Sequence, residues 1–293
     1  MKNDIPKIEK IIKEKECIAL LAPSFIAEFD YPGIIIALKK LGFKKVTELT
    51  FGAKMVNRNY HEILKENKLW ISTACPGITY FIEKNYPEFK NNLVKVDSPM
   101  IATAKICKKN FPKYTRIFIS PCSFKKQEAE SSKYVDYVID YQQLKQLFVK
   151  NKISMREESK GQVEKFDCLY NDYTKIYPIA GGLSKTAHLK GVLKKSEVKI
   201  IDGVDKVKKF LDNYIKRSNK KAHAGVSPVG QIRFLDINFC EGGCLGGPFI
   251  AKNKTLAQKN KRIQDYMKFS KKASIKENNK GWIKKAEGIN FRK

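Results

Sequence analysis

The sequence predicts an α/β fold of two lobes, each a mostly parallel sheet flanked by helices. Three observations point there. Short apolar runs alternate with amphipathic stretches through the first half, the alternation resumes beyond a polar stretch at residues 157–165, and cysteine, glycine and proline gather where strands end. A chain of 293 residues, 42% of them hydrophobic, can bury cores of that extent without covalent staples.

In order along the chain, residues 17–22 (CIALLA) read as a buried strand, and 31–41 as a helix with Pro32 and Gly33 at its start. A second strand is expected at 45–51 and a third at 69–74, followed by Pro76 and a helix running towards Tyr86. Helices at about 100–110 and 141–151 accompany strands at 116–120 and 134–139. The weakly patterned segment 157–165 is a connection. Beyond it come a Gly-rich turn and helix at 180–190, a strand near 198–201, a helix at 204–215 and a strand at 232–238. From Ala251 the chain is Lys-rich and helical in pattern to about Lys272, then rich in Asn and Lys with a lone Trp282, which predicts a solvated helix and a frayed end. The expected division is a first lobe at 1–155 with Cys75 and Cys122, a second at 156–250 with Cys240 and Cys244, and a basic helical C-terminal tail at 251–293. No internal repeat is evident.

The formal charge of +28 is nearly all Lys, beside abundant Asn, Ile, Tyr and Phe, a usage that an AT-rich genome produces without selection for binding. The same field would favour an acidic protein partner. Nucleic acid is carried by charge alone, since no zinc-finger spacing, RNA-recognition signature or Arg-rich stripe accompanies it. No run of roughly eighteen apolar residues occurs, and the opening MKNDIPKIEKIIKEKE is charged where a secretory signal needs an apolar centre, so a cytoplasmic protein without a membrane span is expected. Seven scattered cysteines are too few for a disulfide framework.

Three cysteine sites share one design. Cys75 ends the strand LWISTA and precedes Pro76 and Gly77; Cys122 follows RIFIS and Pro121; Cys240 and Cys244 follow IRFLDINF, enclose Glu241, Gly242 and Gly243, and precede Gly246, Gly247 and Pro248. Each is presented at the carboxyl end of a strand, where open α/β sheets place their ligands. An iron-sulfur cluster needs thiolates, backbone amides at turns and helix starts stabilise its negative charge, and Gly lets the backbone come close. Four thiolates from three segments would close a 4Fe-4S cubane. Zinc also accepts four thiolates, although its structural sites usually use paired C-x2-C knuckles that are missing here. Burial as inert thiols explains any one of these cysteines and explains four in such settings poorly. Cys17 and Cys107 lack the setting and read as core residues, with Cys168 left open.

These residues resemble the large-subunit catalytic domain of the FeFe (iron-only) hydrogenases over residues 18–248. Thr73-Ala74-Cys75-Pro76 is similar to the first signature of that family, Pro121 to Glu128 (PCSFKKQE) to the second and Cys240 to Gly247 (CEGGCLGG) to the third, in the right order. Leu41 to Val46, Phe51-Gly52-Ala53 and Gly181-Gly182-Leu183 are similar to landmarks between them. The resemblance implies a metal cluster in the cleft between lobes: the H-cluster, a cubane joined through one cysteine to a diiron subsite carrying carbonyl, cyanide and a bridging dithiolate amine. It implies Cys75, Cys122 and Cys240 as terminal cubane ligands, Cys244 as the bridging thiolate, and Lys125 as a donor to a cyanide. Ala22, Pro23 and Ser24 would line the diiron pocket, and Glu128 would be the proton-relaying acid beside Lys125.

The departures from the family pattern carry as much information. Ala74 stands where most active members have a cysteine that passes protons, and alanine transfers none. Asn59 and Tyr60 lie near the positions of the expected relay acids, with Glu62 close by; Ser120 and Asn238 replace methionines, and Ile78 a tryptophan. Such losses resemble divergent, sensory-type hydrogenases. No C-x2-C-x2-C-x3-C run accompanies the domain, so electrons are expected to enter from an acidic carrier such as ferredoxin, and the resemblance implies hydrogenase maturation proteins as assembly partners. The expected function is a minimal anaerobic hydrogenase that catalyses or senses 2H+ + 2e- = H2 at low turnover. The alternative is a non-catalytic 4Fe-4S protein, of the electron-transfer or iron-sulfur assembly type, lacking the diiron unit.

Overall fold

The computed structural model describes residues 4–154, 164–223, 232–272 and 275–293; most of the connection expected at 157–165 lies outside the described residues. Strand β1 (Cys17–Leu21) is the centre of the first sheet, between β2 (Lys45–Glu48) and β4 (Thr115–Ser120), with β5 (Tyr137–Asp140) beyond β4, all parallel. Ala19 pairs with Val46 on one side and Ile117 on the other. A parallel strand covered on both faces must be apolar throughout, and every residue of CIALL is buried. Its side chains divide by alternation. Ile18 and Leu20 join Phe118 and Val138 beneath helices α3 (Thr50–Ile63) and α5 (Pro99–Asn110). Cys17, Ala19 and Leu21 join Ile117 and Ile139 on the other face, under α1 (Ile5–Glu14), α2 (Gly33–Leu41) and α7 (Tyr141–Lys150). Cys17, Cys107 and Cys168 are all buried core residues.

The second sheet runs β3-β7-β6, again parallel, from β3 (Trp70–Ile71), β7 (Phe234–Asn238) and β6 (Val198–Asp202). Strand β3 comes from the stretch expected in the first lobe, so the chain visits the second sheet early and Cys75 hangs from it. Helices α4 (Pro76–Asn85) and Val204–His223 cover this sheet through Ile78, Ile82, Val207 and Leu211.

Two strands fall three or more residues short of the length that the sequence predicts. β2 stops at Glu48 because α3 begins at Thr50, and Gly52 brings that helix against α5: a Cβ there would stand 2.0 Å from Thr103 Oγ1. β3 covers only Trp70–Ile71 of the expected 69–74, because the Ser72 hydroxyl takes over as acceptor for Ile237 N at 3.0 Å and the chain turns out of the ladder.

The tail corrects an expectation. Instead of a solvated helix and a frayed end, helix Leu256–Lys272 lies along the turn Pro23–Ala27 with Ile263 and Tyr266 buried, and Arg262 donates to the carbonyls of Ile26 (2.6 Å) and Phe29 (3.0 Å). Asp97 N donates to Phe291 O at 2.7 Å and Lys293 N to Lys95 O at 3.0 Å, so the last residues are stitched to the first half. The few apolar contacts that fix the tail are widely spaced among lysines, and composition hides them.

Beneath that helix, Lys175 and Glu48 pair at 2.5 Å with both side chains fully buried, and Lys175 also donates to Tyr266 Oη at 2.8 Å. Burial pushes the Glu48 carboxyl up and the Lys175 ammonium down, while their attraction opposes both. Removing one partner strands a charge, so Lys175→Met is expected to cost about 3–5 kcal/mol in urea unfolding, and Lys175→Met with Glu48→Leu to recover most of it. An unchanged midpoint in the single variant would show that the pair carries no net charge separation.

Candidate metal centre

The carboxyl ends of β1, β3, β4 and β7 open onto one cavity of about 100 Å3, floored by Ala22, Pro23 and Ser24 after β1 and by Ala74 and Cys75 after β3. Cys122 reaches it from beyond β4, as does Lys125 one turn later, and Cys244 closes it from the loop after β7. Its remaining wall is largely apolar, with Leu49, Met100 and Phe118 excluding water.

Local sequence explains each placement. Cys75 and Cys122 are the N-cap residues of α4 and of α6 (Ser123–Glu130), and neither uses its side chain as a cap, which leaves both thiols free. Burial, followed by the neighbouring Cys75, raises the Cys122 thiol, while the Lys125 ammonium and the amides at the start of α6 oppose that rise. After β7 the chain turns through Gly242 and Gly243, both left-handed (φ 77° and 65°), and a Cβ on Gly243 would lie 2.6 Å from Pro178 O. That approach lets Cys244 N donate to the same carbonyl at 2.9 Å, fixing the loop against the wall.

All seven cysteines are unpaired. Cys240 does not line the cavity, but it is near enough to Cys75 and Cys122 to feel their charge: burial first, then those neighbours, push its thiol up to about 12. Cys244 is exposed and lines the cavity. Its thiol is raised further, by burial and then by Cys75, Cys122 and Cys240, with Lys125 opposing. Four thiols that would repel one another once ionised are what a cationic iron-sulfur core offsets. Among the described residues no three His, Cys, Asp or Glu side chains gather closely enough for a single metal ion, as a tetrahedral zinc would require.

Lys125 donates from Nζ to Glu128 Oε2 at 2.6 Å and to Ala74 O at 3.4 Å. Glu128 therefore stands behind the lysine and holds it, without lining the cavity. Ser24 Oγ is hydrogen-bonded to Tyr141 Oη at 2.8 Å, and Tyr141 also donates to Ala22 O at 3.3 Å, so the segment Ala22-Pro23-Ser24 is pinned from behind by a buried ring. Ser120 and Asn238 both line the cavity, whereas Ile78 is buried in the core of the second sheet. Glu62 is exposed and ion-paired to Lys65 at 2.6 Å, and Asn59 donates to Met55 O at 3.0 Å, so neither faces the cavity. Tyr60 lies behind Ala74, 3.2 Å from Thr73 Oγ1.

Sequence reasoning missed three contributors. Asp236 lines the cavity and accepts from Ser184 N at 2.9 Å, and burial raises its carboxyl; an acid inside the apolar strand FLDIN was the available signal. Tyr177 and Tyr141 gave none, since an aromatic beside apolar residues reads as core. Among the described residues no helix is long and apolar enough to cross a membrane.

The family of the iron only hydrogenase large subunit, C-terminal domain, matches residues 15–248. Iron hydrogenase 1 of Clostridium pasteurianum is 24% identical over 287 residues, covering 80% of this chain and 50% of that protein, so the chain spans about half the length of this curated relative. A solved FeFe-hydrogenase, studied for oxygen inactivation through modification and degradation of the H cluster 2Fe subcluster, has a TM-score of 0.67 at 16% identity over 94% of this chain and 91% of its own. A variant of the FeFe-hydrogenase HydA1 from Chlamydomonas reinhardtii gives 0.65 at 16% identity, over 96% and 90%. At such identities the structures speak for the fold, a mixed α/β domain of parallel sheets flanked by helices. Together with the match over residues 15–248, this makes the chain a member of the iron only hydrogenase large subunit, C-terminal domain family.

Proposed function

We propose that this chain binds an H-cluster through Cys75, Cys122, Cys240 and Cys244 and catalyses or senses 2H+ + 2e- = H2 at low turnover. The observation that carries the reading is the meeting, at strand ends of both sheets, of free thiols with a half-buried lysine that a bare cubane would not require. When bound, the cluster supplies the electrons and the metal site at which protons become hydrogen. The chain's part is to hold and insulate it. Cys75, Cys122 and Cys240 would be terminal ligands and Cys244 the shared one. Lys125, steadied by Glu128, would present an ammonium donor to a cyanide, and Ala22, Pro23 and Ser24, pinned by Tyr141, would line the diiron pocket. Ala74 carries no proton, which is the basis for low turnover. An acidic electron carrier such as ferredoxin would deliver electrons to the basic surface, hydrogenase maturation proteins would load the diiron unit, and the setting would be cytoplasmic and anaerobic.

A second reading, a 4Fe-4S protein without the diiron unit, is favoured by the polar Ser120 and Asn238 on the cavity wall beside Ala74. Infrared spectra of protein matured anaerobically with the hydrogenase assembly enzymes separate the two. Carbonyl and cyanide stretching bands, with ferredoxin-driven hydrogen evolution that slows as salt rises, are expected. A normal cubane signal without those bands would replace the first reading with the second.

A further inference from the structure

The hydroxyl of Tyr177 is buried and, among the described residues, has no hydrogen-bond partner. Native proteins seldom bury a hydroxyl in that state, and one found so is commonly the counterpart of a group that arrives later. Of the cavity-lining residues, Tyr177 alone carries such an atom. Its backbone cannot easily carry it elsewhere: Tyr177 N donates to Thr174 O at 3.0 Å, and the absent Cβ of Gly182 would fall 2.8 Å from Tyr177 Cα. The next residue, Pro178, is the one whose carbonyl receives Cys244 N, so ring and cysteine share one wall. Burial, reinforced by Tyr60, Asp236 and Cys244 nearby, holds the phenol far above its usual range, and it stays protonated as a donor.

We infer that the Tyr177 hydroxyl is a binding group for the cofactor, donating a hydrogen bond to a carbonyl or cyanide ligand on the Cys244 side of the cavity. The inference rests on the H-cluster reading above. It assigns a second donor beside Lys125 to the same cavity, with the difference that a neutral phenol orients an acceptor without adding charge.

The test is Tyr177→Phe, which keeps the ring and removes only the donor. In the matured protein at least one cyanide or carbonyl stretching band should move while the rest keep their positions. In protein made without the maturation proteins, where nothing occupies that side, the variant should melt at or above the wild-type temperature, because an unpaired buried hydroxyl has been removed. Superimposable infrared bands would overturn the inference, and so would a variant that melts below wild type before maturation, since the hydroxyl would then be paired within the protein. Wild-type protein with no such bands at all would overturn the diiron reading and this inference together, whereas wild-type bands that the variant leaves unmoved would overturn the inference alone.

Discussion

Cys122→Ser is expected to strip the protein of its cubane and to reduce hydrogen evolution to background. The Cys122 side chain caps nothing, although the residue begins α6, so the helix does not depend on its sulfur. A serine hydroxyl would ionise far less readily than a thiol, and iron in a sulfide cage prefers the softer donor. The fold should therefore survive while the cluster does not, so circular dichroism stays near wild type as iron content and visible absorption collapse. Cys17→Ala makes the control: that thiol is buried between β1 and α1, where it contacts Ile11 O at 3.6 Å, and its loss should cost stability without costing iron. Full iron content in Cys122→Ser would remove this cysteine from the ligand set.

What could be read from the sequence was what local chemistry decides. CIALL and RIFIS announce doubly covered parallel strands because such strands have no solvent face, and the Pro and Gly around each cysteine announce a turn into a helix or a tight loop. What could not be read depends on partners distant in sequence. Nothing in LWISTA says that it pairs with FLDIN, more than 160 residues on, rather than with its predecessors; only the ladder from Trp70 to Phe234 does. The tail looked solvated because Ile263, Tyr266 and Phe291 are separated by lysines, and their burial depends on surfaces offered by residues 23–30 and 95–97. Lys175 has the same history: from its neighbours it is one more surface lysine, and only the meeting of β2 with helix Leu256–Lys272 puts it out of reach of water. Around the cavity, residue types that carry chemistry by themselves, thiols and a lysine in a signature, stood out. A tyrosine that matters by being unpaired had no signal until the surrounding atoms were in place.

Ala74→Cys is expected to raise hydrogen evolution by about 10²-fold, the low end of the 10²–10⁴ that a positioned acid or base typically contributes. Ala74 already lines the cavity, and its carbonyl faces Lys125 at 3.4 Å, so a thiol there would project beside the group that Lys125 addresses. The low end applies because the rest of the route is poor. Behind Ala74 lie the Thr73 hydroxyl and the Tyr60 phenol, 3.2 Å apart, and burial, against the hydrogen bonds made with Thr73, pushes Tyr60 up to about 12, so it releases protons reluctantly. Glu62, the nearby carboxylate on the same helix, is turned to solvent and held by Lys65. A thiol alone shortens the last step and leaves the approach from bulk water slow. Should Ala74→Cys leave the rate unchanged while the infrared bands remain intact, proton delivery at this position does not limit turnover, and the slow step moves to electron entry at the cubane.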